Sequence, residues 1–183
     1  MHRYVALSWR PGHIAATQEE LRLRSSIEQS TPAWDIALSS DTLMIYSRQA
    51  VESAMRTYVL KDGNGVVFGR LFRTGSPDRP VDPSELNTRI LSQDEGKGLL
   101  AKYWGSYVAI VRIPEKRTVL VMRDCSGRIP CYYVNIAGVY VLFSDIRDIA
   151  AFAPRFTLNT SYLAAYILRY PLHVRETGLR EVS

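Results

Sequence analysis

The chain is 183 residues long, 46% hydrophobic, 10% aromatic and 22% charged, a balance that fits one globular domain and excludes disordered, coiled-coil and collagen-like architectures. Its formal charge of +5 comes from 23 Lys+Arg against 18 Asp+Glu, with arginine supplying nineteen of the 23 and no basic run longer than two residues. Proteins that track phosphates gather cations on one helix or loop, so nucleic acid is not expected as a partner.

Residues Tyr4 to Trp9 read as a short strand ended by Pro11-Gly12. Thr17-Gln18-Glu19-Glu20 has the spacing of a capping box and predicts a helix to about Gln29, with a thin apolar face of Leu21 and Ile27. Trp34 to Leu38 and Thr42 to Tyr46 are strands around Ser39-Ser40-Asp41, and Met55 to Leu60 pairs with Val66 to Phe72 across Asp62-Gly63-Asn64-Gly65. Pro77, Pro80 and Pro83 mark a polar surface loop, and Ser84 to Leu91 and Glu95 to Trp104 predict two helical pieces. Tyr107 to Ile113 and Thr118 to Met122 form a hairpin over Pro114-Glu115-Lys116-Arg117; Cys131 to Ile136 and Val139 to Phe143 form another over Ala137-Gly138. Asp145 to Phe152 and Thr160 to Arg169 return to helix, the second stopped by Pro171. Its run from Tyr162 to Leu168 is apolar on nearly every side, which predicts burial against something besides its own domain. Hairpins followed by helices, without repeats or a long linker, predict α+β layers.

General catalytic patterns fail on inspection. Gly63 to Gly69 has one residue too many for a dinucleotide glycine motif and opens a strand where a helix is required. Cys125-Ser126-Gly127 lacks the leading glycine of a nucleophile elbow, and His2, His13 and His173 have no metal-helix spacing. Cys125 and Cys131, at Cys-x5-Cys, match neither a zinc knuckle nor a redox pair and are expected to be free thiols. The sequence holds no uncharged apolar run of about 18 residues, and Met1-His2-Arg3-Tyr4 lacks the layout of a signal peptide, so no membrane partner and a cytoplasmic location are expected.

One segment is far more specific: Arg123-Asp124-Cys125-Ser126-Gly127-Arg128-Ile129-Pro130-Cys131-Tyr132-Tyr133, preceded by Trp104-Gly105-Ser106-Tyr107-Val108-Ala109-Ile110 and followed by Val141-Leu142-Phe143-Ser144-Asp145-Ile146-Arg147-Asp148-Ile149. Read alone, this is a turn in which a charged pair leaves a strand, Gly127 tolerates a positive φ, and Pro130 sets φ for the next strand. The three stretches together resemble the amino-terminal glutamine amidotransferase domain of the asparagine synthase family, over roughly Tyr4 to Val182. The resemblance implies a four-layer α-β-β-α sandwich of the Ntn-hydrolase type, in which Arg123, Asp124, Gly127 and Pro130 mainly brace the sheets.

Such domains carry a cysteine nucleophile immediately after the initiator methionine, with its own α-amine as base. Here His2 holds that place and bulky Arg3 follows it, where the family has glycine. Ser8, six residues along the strand, lies about 20 Å away at ~3.3 Å per residue and cannot substitute. The family's oxyanion-stabilising Asn-Gly pair corresponds to Phe68-Gly69, an apolar ring in place of a side-chain donor. No catalytic residue and no metal site are therefore expected. Within the family the resemblance is greatest to the cyclases that close lasso peptides. It implies a scaffold or peptide-binding role in an ATP-dependent amide-forming ligase, with residues 1–170 as the degenerate domain and 171–183 as the start of a linker. ATP and magnesium would belong to a synthetase domain outside this chain, whose Ser-Gly-Gly-x-Asp-Ser loop is absent here. That domain or second protein half, a precursor peptide and a second copy of the chain are the partners expected. Two other readings stand: a glutamine-hydrolysing asparagine synthase homologue with a misassigned start, and a basic module for peptide or nucleic acid.

Overall fold

In a computed structural model, residues 3–48, 56–82, 85–92, 96–153, 155–169 and 176–183 are described. In chain order the elements are β1 (Arg3–Ser8), α1 (Ile14–Glu28), β2 (Asp35–Ser39), β3 (Leu43–Arg48), β4 (Arg56–Val59), β5 (Gly65–Arg73), β6 (Ser76–Pro80), α2 (Thr88–Ser92), α3 (Lys97–Lys102), β7 (Tyr103–Ile113), β8 (Thr118–Arg123), β9 (Tyr132–Ile136), β10 (Val139–Phe143) and α4 (Thr160–Ile167). The fold is mixed α+β, with two antiparallel sheets. One has the order β2-β3-β1-β10-β9, the other β4-β5-β7-β8, with β6 paired to β5.

Alternation along each strand sorts side chains to opposite faces of its sheet. From β1, Val5 and Leu7 pack with Ala16, Leu23 and Ile27 of α1. Tyr4 and Ala6 face the other way, into a cluster shared with Val66 and Phe68 of β5 and Val108 and Ile110 of β7. The remaining faces of those two strands, Val67, Leu71, Ala109 and Val111, pack with Leu91 of α2 and Leu99 of α3. Each of the valine, leucine, isoleucine and phenylalanine side chains among them, fully removed from water, contributes about 1.5–3 kcal/mol. At one flank β2 lies against β4 and β5; at the other, the chain passes from β8 to β9 through residues 124–131.

Several elements differ from their sequence-based expectation, each for a local reason. Helix α1 starts at Ile14, three residues before the capping box. The cap is His13, whose Nδ1 accepts the Ala16 amide at 3.3 Å, while the Thr17 hydroxyl donates to the His13 carbonyl. Its buried stripe is Ala16, Glu20, Leu23 and Ile27, and Leu21 is exposed. Strand β7 begins at Tyr103, because its pairing with the nine-residue β5 extends to Arg73↔Tyr103 and overrides the helical pattern. The segment around Pro77 and Pro80 is an edge strand paired to β5 at Phe72↔Pro80 and Arg73↔Ser76. Asp145 to Phe152 contains only a 3-10 turn at Ile146–Asp148, where the Asp145 side chain accepts the Arg147 amide at 2.9 Å.

Helix α4 is capped by Asn159, which accepts the Tyr162 amide at 3.1 Å, and none of its residues is buried within the chain. Glu176–Ser183 return beside it. The Asn159 amide donates to Gly178, Leu158 bridges to Leu179, and Ser183 exchanges two backbone bonds with Tyr133, of 2.8 and 3.1 Å. Val182 thereby enters the core shared with α1. The expected boundary at 170/171 lies outside the described residues, and no described helix is long and apolar enough to cross a membrane.

Candidate functional site

The signature turn and the start of β1 form a single cluster. Arg123 ends β8, and at the next residue Asp124 donates its amide to the Tyr107 carbonyl while its carboxylate accepts the Tyr107 amide, both at 3.1 Å. The other carboxylate oxygen accepts the Ser126 amide at 2.8 Å and the Ser126 hydroxyl. Asp124 is 6% exposed, and its carboxylate is satisfied by donors of β7 and of the turn. Gly127 closes the turn at φ +60°, donating its amide to the Asp124 carbonyl. Ile129 is then driven into the cluster between the sheets, and the Pro130 carbonyl accepts the Tyr4 hydroxyl at 3.0 Å.

Tyr4 also meets Phe68. Their rings stack with centroids 4.7 Å apart and planes 7° from parallel, and both side chains are fully buried. Gly69 follows at φ +127°, so close to β7 that a Cβ there would stand 2.0 Å from the Ser106 carbonyl. Phe68, Gly69, Asp124, Gly127 and Pro130, chosen from separate stretches of sequence, are thus brought together around Tyr4, Tyr107 and Ile129. Every described member serves packing or backbone satisfaction. Burial pushes the Tyr4 hydroxyl well above the ordinary phenol value. Burial also raises the Cys131 thiol, against an opposing hydrogen bond with Tyr4, which favours the protonated form. Cys125 and Cys131 are both free.

His2 lies outside the described residues. Its neighbour Arg3 belongs to an ion group the sequence reading missed: Arg3 Nε donates to Asp148 Oδ2 at 2.8 Å and Arg48 Nη2 donates to Asp148 Oδ1 at 3.0 Å. The Asp148 side chain is 2% exposed, and burial raises its pKa against the pull of Arg3 and Arg48. Arg48 is held in turn by the Pro32 carbonyl at 3.0 Å and by the Trp34 ring, 4.3 Å from its guanidinium. Arg147 holds the Asp145 carboxyl down to about 2. Ser144 joins the start of β1 to this segment, its hydroxyl accepting the Tyr4 amide at 3.1 Å. The only signal in the sequence was the pair Asp145 and Asp148 itself, which carries no mark of the partners of Asp148, 145 and 100 residues away.

Among the described residues no group of three or more His, Cys, Asp or Glu could hold a metal ion. A shallow depression of about 440 Å³, lined by Arg73, Thr74, Ile90, Ala101, Lys102 and Tyr103, lies beside α2 and α3, on the opposite face of its sheet from Phe68. No family model matches the chain, and no curated protein matches it.

Proposed function

We propose that this chain is a non-catalytic glutaminase-like domain, a four-layer α-β-β-α sandwich of Ntn type, from an asparagine synthase-type ligase that forms amide bonds with ATP. Three apolar layers support the architectural part of this reading: α1 against the first sheet, sheet against sheet, and the second sheet against α2 and α3. The functional part rests on the Tyr4–Phe68 stack. At the position where the resemblance calls for a polar oxyanion donor, a buried ring lies flat on a second ring whose hydroxyl is already committed to Pro130. A developing oxyanion needs preorganised donors, and loss of one typically costs ~3 kcal/mol or more. Arg3, where the family has glycine, is bound to a buried carboxylate.

The domain then acts as a scaffold for a synthetase domain that binds ATP and magnesium, and the lasso-peptide cyclases are the branch it fits best. The exposed apolar residues Leu158, Tyr166, Ile167 and Leu168 on and beside α4 form the surface proposed for that contact. The test is restoration of the missing nucleophile. His2→Cys, with the initiator methionine removed, is expected to release no glutamate from glutamine above a blank. Turnover by that variant would mean that the packed ring pair does not block the site.

A further inference from the structure

Among the described residues, the edge strands β2, β4, β6 and β9 each carry a feature that discourages pairing, which in β6 is Pro77 and Pro80. β2 has a register shift between Ile36 and Leu38, β4 is only four residues long, and β9 exchanges backbone bonds with Ser183. β8 is different. Its six residues pair with β7 in unbroken register from Thr118↔Ile113 to Arg123↔Val108, and Thr118-Val119-Leu120-Val121-Met122 is uncharged, without proline or glycine. No backbone partner lies on its other side among the described residues. A regular, apolar, open edge is the feature that soluble proteins normally bend, charge or cover.

The ladder also fixes which groups are free. The Asp124 amide bonds the Tyr107 carbonyl, and bonded positions recur at every second residue of an antiparallel pair. Met122 and Leu120 therefore turn their amides to β7, and Val119, Val121 and Arg123 turn theirs outward. The same three residues share the sheet face of Val108 and Ile110, toward the other sheet. On that other sheet, Tyr133 and Tyr140 share the facing side with Leu142, and their rings are 6.3 Å apart. Val121, Tyr133 and Tyr140 are nevertheless 38%, 45% and 51% exposed. The facing sides of the two sheets are thus partly exposed along the β8–β9 flank.

Charge decides the occupant. Residues 114–133 hold Lys116, Arg117, Arg123 and Arg128 against Glu115 and Asp124. None of those four cations has a carboxylate partner among the described residues, and the Asp124 carboxylate is taken by Tyr107 and Ser126. A second copy pairing antiparallel through these outward groups, centred on Leu120, would set Arg123 opposite Arg117 of its mate, like charge against like. We infer that β8 receives an extended, acidic peptide segment of another protein as an added strand, its main chain on the outward groups of Val119, Val121 and Arg123 and its carboxylates among the four cations.

The test uses an acetylated, amidated seven-residue peptide of alternating glutamate and valine, titrated calorimetrically into the full chain. The peptide is expected to bind, roughly tenfold or more weaker when its alternate amides are N-methylated and likewise against Val121→Pro, which removes an outward amide that β7 does not use. The lysine-valine counterpart is expected not to bind. No heat from the acidic peptide up to millimolar concentration would overturn the proposal. So would equal binding of the N-methylated form, tighter binding of the lysine peptide, or a dimer of the chain that Val121→Pro abolishes.

Discussion

The Tyr4 ring lies on the Phe68 ring, 4.7 Å between centroids and 7° between planes, with the Tyr4 hydroxyl bonded to Pro130. Three segments far apart in sequence therefore share one buried contact. Phe68→Asn would return a side-chain donor to this position, but it removes the stacked ring and leaves an amide among apolar neighbours. Large-to-small changes at buried aromatics cost about 3–5 kcal/mol. A fall in Tm of roughly 6 to 20 °C is expected for a domain of this size, with no gain of glutamine hydrolysis. An unchanged Tm would show that the stack adds nothing to stability.

The signature turn should respond to backbone geometry more than to chemistry. Gly127 sits at φ +60° with the Arg123 guanidinium 3.4 Å from where a Cβ would stand. Gly127→Val places a β-branched residue in the left-handed region and is expected to destabilise by ~1–3 kcal/mol. Gly127→Asn, which tolerates that region, should cost much less. Equal denaturant midpoints for the two variants would contradict this account of the turn.

Acid stability should carry the signature of Asp145. Arg147 lowers its folded pKa from the ordinary 3.8 to about 2, so its contribution is present above about pH 4 and is lost as pH falls toward 2. Melting curves of the wild type and Asp145→Asn are expected to differ at pH 7 and to converge below about pH 2. A gap independent of pH would remove the carboxylate from the explanation.

The exposed end of α4 should matter to association rather than folding. Tyr166 is 66% exposed, and a substitution there typically changes stability by no more than about 0.5 kcal/mol. Tyr166→Glu is therefore expected to leave Tm unchanged while weakening self-association, or binding of a separately supplied synthetase domain, in light scattering across a concentration series. A large loss of Tm would place the residue in the fold instead.

The hairpins and the Arg123 to Pro130 turn were legible because their determinants are local: alternating apolar residues, Asp62-Gly63-Asn64-Gly65, and glycine or proline at positions needing a particular φ. What escaped the sequence depends on distance or on competition between patterns. Thr17-Gln18-Glu19-Glu20 satisfies the capping spacing, yet His13 takes the role because the chain leaves the Gly12 turn (φ +81°) already in position. Tyr103 and Trp104 fit a helix until β5 offers nine residues of pairing. Asp148 looks like a surface acid in a helical turn, and only the fold brings Arg3 and Arg48 to it. Of the candidate site, Phe68 and Gly69 could be named from sequence, but their union with the signature turn through Tyr4 could not.

The pseudo-enzyme reading is tested most directly by glutamate release from glutamine by the unmodified full chain, with its initiator methionine removed. The account predicts a rate indistinguishable from a protein-free blank. Saturable turnover that scales with protein concentration would contradict it.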